Sequence, residues 1–172
     1  LGGAVDKQGN VAEMKSQGVE LSLFTRNIER KDFKWQTNFI FAWMDNEVTK
    51  LKTSTRMINY ITGTGYSMEG TPRGSLFSLK FTGLNEMGIP TFLASDGSIT
   101  STNIQFQETV NMSNLVYEGP VDPTITGSLG NIFKYKGFTL NVFMTYSFGN
   151  VVRLDPIFSN SYSDLTAMPR EF

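Results

Sequence analysis

The sequence contains no cysteine and no histidine. Without cysteine the chain has neither disulfides nor thiolate chemistry, and without histidine it lacks the commonest metal ligand and general base. These two absences disfavour most classes of enzyme. We therefore expect a protein that is not an enzyme and that has no cofactor.

Long apolar runs and a basic excess are also missing. Hydrophobic residues make up 40% of the chain, but they are scattered, and no run approaches the roughly 20 residues of a membrane helix. The formal charge of -1 cannot drive strong counterion release, so nucleic acid is not expected as a partner. The sequence begins at Leu1 without a start methionine, which suggests a segment of a longer protein.

Aromatic residues and turn-forming residues are plentiful. Aromatic residues account for 13% of the chain, and there are 16 glycines, accompanied by many serines, threonines and asparagines. This mixture is typical of twisted strands joined by polar loops. The predicted class is all-β, with antiparallel strands.

Three segments alternate with the two-residue period of a strand. In residues 19–25 the apolar side carries Val19, Leu21 and Leu23. In residues 33–43 one side carries Phe33, Trp35, Thr37, Phe39, Phe41 and Trp43, and the other carries Lys34, Gln36, Asn38, Ile40 and Ala42. In residues 138–148 one side carries Phe138, Leu140, Val142, Met144, Tyr146 and Phe148, and the other carries Thr139, Asn141, Phe143, Thr145 and Ser147.

The length of these segments suits a membrane wall. Residues 33–43 extend about 33 Å, or about 24 Å in height at a tilt of roughly 45°, and an outer-membrane β-barrel needs an apolar band of about 25 Å between aromatic girdles. We predict membrane-facing Phe33, Trp35, Phe39, Phe41, Trp43, Phe138, Leu140, Val142, Met144 and Tyr146, and lumen-facing Lys34, Gln36, Asn38, Asn141 and Thr145. The alternative is a soluble β-sandwich binding module of a secreted or surface protein, in which the two aromatic faces pack against each other.

Short turns and long connections set the predicted topology. Lys136 and Gly137 suit a two-residue hairpin, and residues 27–32 form another short connection. If both turns are periplasmic, residues 46–124 begin and end outside and must cross the membrane an even number of times. A single spanning strand among them would break this parity unless an unseen second strand pairs with it. We expect barrel hairpins at 1–45 and 125–150, an extracellular loop region at 46–124 with a short non-spanning strand at 76–81, and an extracellular loop at 151–172.

Short motifs also follow one another in a fixed order along nearly the whole chain. They are residues 10–21, 33–39 and 69–77, then Gly83-Leu84, Gly88-Ile89-Pro90, Tyr117-Glu118-Gly119, Pro123, Thr126-Gly127, residues 135–140 and Arg153-Leu154-Asp155-Pro156. This succession resembles the C-terminal half of the SusC/RagA-type TonB-dependent transporters. The family usually has glycine, asparagine and glycine where Ala12, Ser16 and Ser128 stand, and these departures concern local turn geometry.

The resemblance implies a function and a place in the cell. It implies a large barrel in the outer membrane of a Gram-negative bacterium, closed by an N-terminal plug, energised by the TonB complex and lidded by a SusD-like lipoprotein. Such transporters import oligosaccharides or peptides. The plug and the TonB-contacting segment are not expected within this chain, so the segment alone is not expected to transport.

Several residues are candidates for binding. Aromatic side chains in the predicted external region could stack on sugar rings or anchor a partner: Tyr60, Tyr66, Phe92, Phe106 and Tyr117. The alternative is that they form a small core of that region. Asp155, Asp164 and Glu171 carry oxygen ligands for calcium, but their spacing fits no metal loop, so no metal site is predicted. The run Gly63-Thr64-Gly65-Tyr66 lacks the strand-to-helix context of a phosphate cradle and is predicted to be a turn.

Overall fold

The computed structural model describes residues 11–102 and 104–154. In chain order the elements are β1 (Ala12–Glu29), β2 (Phe33–Leu51), α1 (Met57–Thr62), β3 (Ser75–Leu79), β4 (Phe81–Leu84), β5 (Pro90–Leu93), β6 (Ile99–Thr100), β7 (Leu115–Pro120), β8 (Ile125–Tyr135) and β9 (Phe138–Phe148). The strands form three antiparallel sheets, in the orders β1-β2-β8-β9, β3-β7 and β4-β5-β6. The all-β prediction is confirmed.

The main sheet has both short turns at one end. Lys136 and Gly137 have φ values of 44° and 91°, as a two-residue hairpin requires. Phe33 lies opposite Tyr135, and the Lys136 amide donates a hydrogen bond to the Asp32 carbonyl at 3.2 Å, so this hairpin adjoins the turn between β1 and β2. The long connection from β2 to β8 therefore begins and ends at the opposite end of the sheet, as parity predicts.

Strands β1 and β2 are longer than the alternation at residues 19–25 and 33–43 indicates. Past Trp43, β2 still pairs with β1 on one side, while residues 69–73 take the place of β8 on the other. The Val48 amide donates to the Thr71 carbonyl and the Gly70 amide to the Val48 carbonyl, both at 2.9 Å. Backbone pairing does not depend on side-chain alternation, which explains why the pattern misses this extension.

Glycines let the neighbouring strand pack across β8. Tyr146 of β9 lies over Gly127, and its hydroxyl donates a hydrogen bond to the Ile40 carbonyl of β2 at 2.9 Å. A methyl group on Gly127 would overlap both that carbonyl oxygen and the Tyr146 hydroxyl. On the opposite face the Phe143 ring lies over Gly130, 3.3 Å from where a Cβ atom would be. Side chains of β9 thus fill the gaps that the least regular strand leaves.

The region between β2 and β8 is folded. The predicted strand at 76–81 is wrong in detail, because its residues divide at Lys80 between β3, which pairs with β7, and β4, which pairs with β5. Strand β7 pairs with β3, but neither joins the main sheet, so this pair does not supply a spanning strand of that sheet. These strands have two to six residues, too short for a clear period.

A small core lies in this external region. Its buried hydrophobic side chains include Met57, Tyr60, Leu76 and Phe77. The first amides of α1 are satisfied by backbone carbonyls, since Met57 donates to Glu108 at 2.8 Å and Ile58 to Phe106 at 2.9 Å. Within the part of the chain that the structure describes, no helix is long and apolar enough to cross a membrane.

The chain after β9 is tied to the external region. The Val151 amide donates to the Pro120 carbonyl, and the Arg153 guanidinium donates to the Phe77 carbonyl, both at 2.8 Å. Residues 151–154 thus run beside the β3-β7 sheet. The remainder of the predicted loop, 155–172, lies outside the described residues.

Substitution of Gly127 tests the packing of β9 on β8. We expect Gly127→Ala to lower the free energy of unfolding by about 1–3 kcal/mol, because the added methyl meets backbone, and Tyr146→Phe by about 0.5–1.5 kcal/mol through loss of one hydrogen bond. Urea unfolding of the full-length protein measures both. A smaller loss for Gly127→Ala than for Tyr146→Phe would contradict the close packing.

Candidate functional site

The register of the main sheet assigns its residues to two faces, because residues directly opposite one another share a face. All ten residues predicted to face the membrane lie on one side, with the apolar residues of β1 and β8 between and beside them. We call this the apolar face. Across the four strands it carries Val19, Leu21, Leu23, Phe33, Trp35, Phe39, Phe41, Trp43, Ile125, Leu129, Phe133, Tyr135, Phe138, Leu140, Val142, Met144, Tyr146 and Phe148.

The described residues leave much of the apolar face uncovered. Phe138 is 81% exposed, Val19 58% and Val142 50%. The aromatic strands β2 and β9 flank β8 in one sheet and point the same way, so they do not face each other as a sandwich requires. Among the described residues, therefore, no sandwich core is built from these two strands.

A row of polar side chains crosses the apolar face. Thr25 donates to Asn27 at 2.9 Å, Asn27 to Thr37 at 2.6 Å, and Thr37 to Asn131 at 2.7 Å. The Trp35 indole N–H donates to the same Asn131 oxygen at 2.9 Å. Polar groups that bond to each other are far less costly on an apolar surface than unpaired ones. This row therefore interrupts the face without leaving these groups unsatisfied.

The opposite side, the polar face, holds all five predicted lumen-facing residues. Its residues include Glu20, Ser22, Arg26, Glu29, Lys34, Gln36, Asn38, Thr126, Ser128, Lys134, Thr139, Asn141, Thr145 and Ser147. Lys34 lies 3.2 Å from Glu29, which also lies 4.0 Å from Arg26. These ion pairs are exposed and contribute little to stability.

Two exposed phenylalanines interrupt the polar face, and sequence reasoning did not single them out as a site. Phe24 lies opposite Asn38, Asn38 opposite Gly130, and Gly130 opposite Phe143. We call these four residues the phenylalanine row. A groove of about 180 Å³ runs along it, lined also by Gln36, Thr37, Ile132 and Asn141. Sequence alternation could have identified them, because it places both rings on the polar side of their strands.

The five external aromatic candidates divide between core and surface. Tyr60 is only 5% exposed, so the expectation of an exposed ring is wrong for it. Its ring meets Phe77 edge-on at 5.2 Å and Tyr66 at 5.7 Å, and Phe77 meets Tyr117 at 6.0 Å. Tyr66 and Tyr117 remain 37% and 44% exposed at the two ends of this cluster.

The other two candidates lie apart from that cluster. Phe92 is half-buried and packs edge-on against Phe81 at 6.1 Å, while Phe106 is exposed next to the start of α1. Together the five positions form no single pocket. Their role in binding stays a prediction for Tyr66, Phe92, Phe106 and Tyr117.

The other two candidates, a metal site and a phosphate cradle, are not found in the described part of the chain. No group of three acidic, histidine or cysteine side chains that could hold a metal occurs within residues 11–102 and 104–154, and Asp155, Asp164 and Glu171 lie outside these ranges. The run Gly63–Tyr66 follows α1 and leads into a β-bridge between Tyr66 and Ser75. It therefore lies after a helix, not at the start of one as a phosphate cradle would.

Burial affects two tyrosines of the external region. Desolvation raises the pKa of Tyr60, partly offset by a hydrogen bond with Thr55. Desolvation also raises the pKa of Tyr117, partly offset by a hydrogen bond with Ser75. Both phenols are held in their neutral form.

Comparison with known proteins gives the family context. No family model matches the chain. TonB-dependent receptor P3 of Formosa agariphila is 26% identical over 157 residues, which cover 83% of this chain and 16% of that protein. TonB-dependent receptor P39 of the same organism is 23% identical over 189 residues, covering 86% and 18%.

Solved structures agree with these relatives. The RagAB peptide transporter matches 81% of this chain with a TM-score of 0.60 and 25% identity, and the RagAB peptide importer in the "open-open" state matches the same share with a TM-score of 0.58. The resemblance to SusC/RagA-type TonB-dependent transporters is confirmed. The chain spans less than a fifth of each of these SusC/RagA-type and TonB-dependent relatives.

The raised pKa of Tyr60 predicts a loss of stability at alkaline pH. The unfolded chain releases the phenolic proton near the ordinary pKa of 10.0, while the folded chain retains it, so stability is full below that pH and falls as pH rises further. We expect Tyr60→Phe to reduce this fall. Urea unfolding midpoints from about pH 8 to about pH 11 test it, with Tyr135→Phe on the main sheet as control. An equal alkaline loss in Tyr60→Phe and the parent would contradict the burial.

Proposed function

We propose that this chain forms part of the wall and the external surface of a TonB-dependent outer-membrane receptor that imports nutrients. The observation that carries the proposal is the apolar face, four strands wide, which the described residues leave largely uncovered and which has a polar face behind it on the same strands. A membrane wall needs this division, because one side meets lipid and the other meets a hydrated lumen.

The rows of the apolar face fit the two edges of a membrane. Phe33, Tyr135 and Phe138 lie in one row beside the short turns, and Trp43, Ile125 and Phe148 lie in one row toward the long connection. The height between these rows is about 24 Å at a typical tilt, close to the apolar band of about 25 Å. Aromatic side chains thus stand at both proposed interfaces, where they are enriched in membrane proteins.

In this arrangement the short turns are periplasmic and residues 46–124, including the end of β2, are extracellular. The extension of β2 past Trp43 raises the external region above the membrane and fixes it there through residues 69–73. Tyr66 and Tyr117 are exposed on that region and are the aromatic side chains best placed to contact cargo or a partner. Exposed Phe106 and half-buried Phe92 are further candidates for such contacts.

The partners follow from the resemblance. We propose that the parent protein receives energy from the TonB complex, works with a SusD-like surface lipoprotein and imports oligosaccharides or peptides without an enzymatic step. The relatives are TonB-dependent receptors, and the similar solved structures are of a peptide transporter, which supports this assignment. The proposed location is the outer membrane of a Gram-negative bacterium.

Fractionation of cells that express the complete parent gene tests the location. We expect a tagged product in the outer-membrane fraction that is released only by detergent and migrates differently on a gel before and after heating, because a closed barrel resists detergent. A product that is soluble and monomeric without detergent would exclude the proposed function.

A matched pair of charges on β9 tests which face meets lipid. We expect Val142→Arg, on the apolar face, to cost about 2–4 kcal/mol near the bilayer midplane and to reduce the amount of assembled protein. Thr145→Arg places the same charge on the polar face of the same strand and is expected to assemble normally. Quantifying the heat-modifiable form of both variants decides the point, and equal assembly of the two would contradict a lipid-facing apolar face.

A further inference from the structure

Positive charge is concentrated at the end of the main sheet where the two short turns lie. We call this the basic end. Its carboxylates are Glu29 and Asp32, and its cations are Arg26, Arg30, Lys31, Lys34, Lys134 and Lys136. The whole chain has 15 cationic and 16 acidic side chains, so the positive charge of this end is a local feature.

Most cations of the basic end have no carboxylate partner. Glu29 lies 3.2 Å from Lys34 and 4.0 Å from Arg26. Within residues 11–102 and 104–154 the other four cations form no ion pair: Arg30, Lys31, Lys134 and Lys136. Lys34 also lies directly opposite Lys134, and like charges in that position destabilise a sheet. An anion bound beside these two lysines would reduce their repulsion.

A groove of about 200 Å³ lies between the two turns of the basic end. Asp32 is the only carboxylate in its lining, which includes four lysines: Lys31, Lys34, Lys134 and Lys136. A lysine ammonium binds phosphate as a point charge. Four lysines around one groove therefore favour a ligand that carries phosphate.

The same groove has an apolar side, which favours a lipid over a free anion. Tyr135 and Phe138 also line it, and both lie on the apolar face, where Phe138 is 81% exposed. The Lys136 ammonium lies 5.4 Å from the centre of the Tyr135 ring, within the range of a cation–π contact. Positive charge thus adjoins the aromatic row at the proposed membrane edge. A phospholipid matches this arrangement, because its head group carries the phosphate and its acyl chains are apolar.

We propose that the groove of the basic end binds the phosphate of an anionic phospholipid in the inner leaflet of the outer membrane. The four lysines contact the head group, and Phe138 contacts an acyl chain. This inference rests on the proposed function, which puts the short turns on the periplasmic side. Lysine suits the place, since its apolar stem lies along the membrane edge while its ammonium stays in the polar layer. Basic clusters beside a membrane are attracted to anionic lipids.

Paired lysine substitutions separate this site from a general effect of charge. Lys134→Gln with Lys136→Gln removes two unpaired cations from the groove. Lys50→Gln with Lys52→Gln is the matched control, because it removes the same charge at the other end of β2, outside the groove. Lys134→Arg with Lys136→Arg keeps the charge, and Phe138→Ser removes only the apolar contact. All are made in the complete parent, and the heat-modifiable form is quantified first so that binding is compared per folded barrel.

The probe is dioleoylphosphatidylglycerol, added to the purified parent in a nonionic detergent. Native mass spectrometry gives its apparent Kd, with dioleoylphosphatidylethanolamine as the zwitterionic comparison and inorganic phosphate as a competitor. We expect the parent to prefer phosphatidylglycerol, and the glutamine pair to bind it about five- to thirtyfold more weakly. The control pair and the arginine pair are expected to equal the parent, and Phe138→Ser to bind more weakly. Higher salt weakens binding to the parent, because it screens exposed charges.

Three results overturn the proposal. The first is equal binding of phosphatidylglycerol to the parent and to the glutamine pair. The second is displacement of the lipid by equimolar inorganic phosphate with no effect of Phe138→Ser, which makes the ligand a free phosphate. The third is slower TonB-dependent uptake in the glutamine pair with lipid binding intact, which assigns the basic end to an acidic periplasmic protein.

The outcomes separate this inference from the proposed function. If the parent is found in the outer-membrane fraction but the glutamine pair binds phosphatidylglycerol as the parent does, the proposed function stands and the lipid site is overturned. If the parent is soluble and monomeric without detergent, the proposed function fails, and the inference fails with it.

Discussion

The register between β2 and β8 is the constraint on which the rest of the main sheet depends. A shift of one residue would move every side chain of one strand to the other face, placing Lys34 and Asn38 beside Leu129 and Phe133. Strand β8 has too weak an alternation to prevent this by itself. Two side-chain contacts hold the register instead: Tyr146 bonds across Gly127 to Ile40, and Asn131 accepts from Thr37 and Trp35. Both require the observed pairing of the strands.

Each face of the main sheet contains a row of residues that departs from its general character. The apolar face has the polar row from Thr25 to Asn131, in which the side chains satisfy one another, whereas the phenylalanine row of the polar face has no covering group among the described residues. The difference is informative, because an internally satisfied row needs no ligand and serves the register. The rings and amides of the phenylalanine row make no such bonds with one another among the described residues, so that row does not fix the register.

The sequence was sufficient to predict the elements with a long, regular period. The bounds of β9, the turn at Lys136 and Gly137 and the faces of β2 and β9 follow from alternation and turn chemistry. The extension of β2 and the pairing of β3 with β7 could not be predicted, because backbone hydrogen bonds over long sequence distances determine them. The burial of Tyr60 depends likewise on Phe77 and Tyr66 arriving from other elements. The phenylalanine row could not be predicted either, because only the register shows which residues of the four strands lie side by side.

Strand β2 connects the main sheet with the external region. Its first half carries Asn38 within the phenylalanine row, and its second half pairs with residues 69–73 and buries Val48 against the external region. Backbone pairing with β1 runs along nearly the whole of β2, with register shifts at Glu13/Met14 and at Arg26/Ile28. The same strand therefore takes part in the main sheet and supports the external region, on which Tyr66 and Tyr117 are exposed.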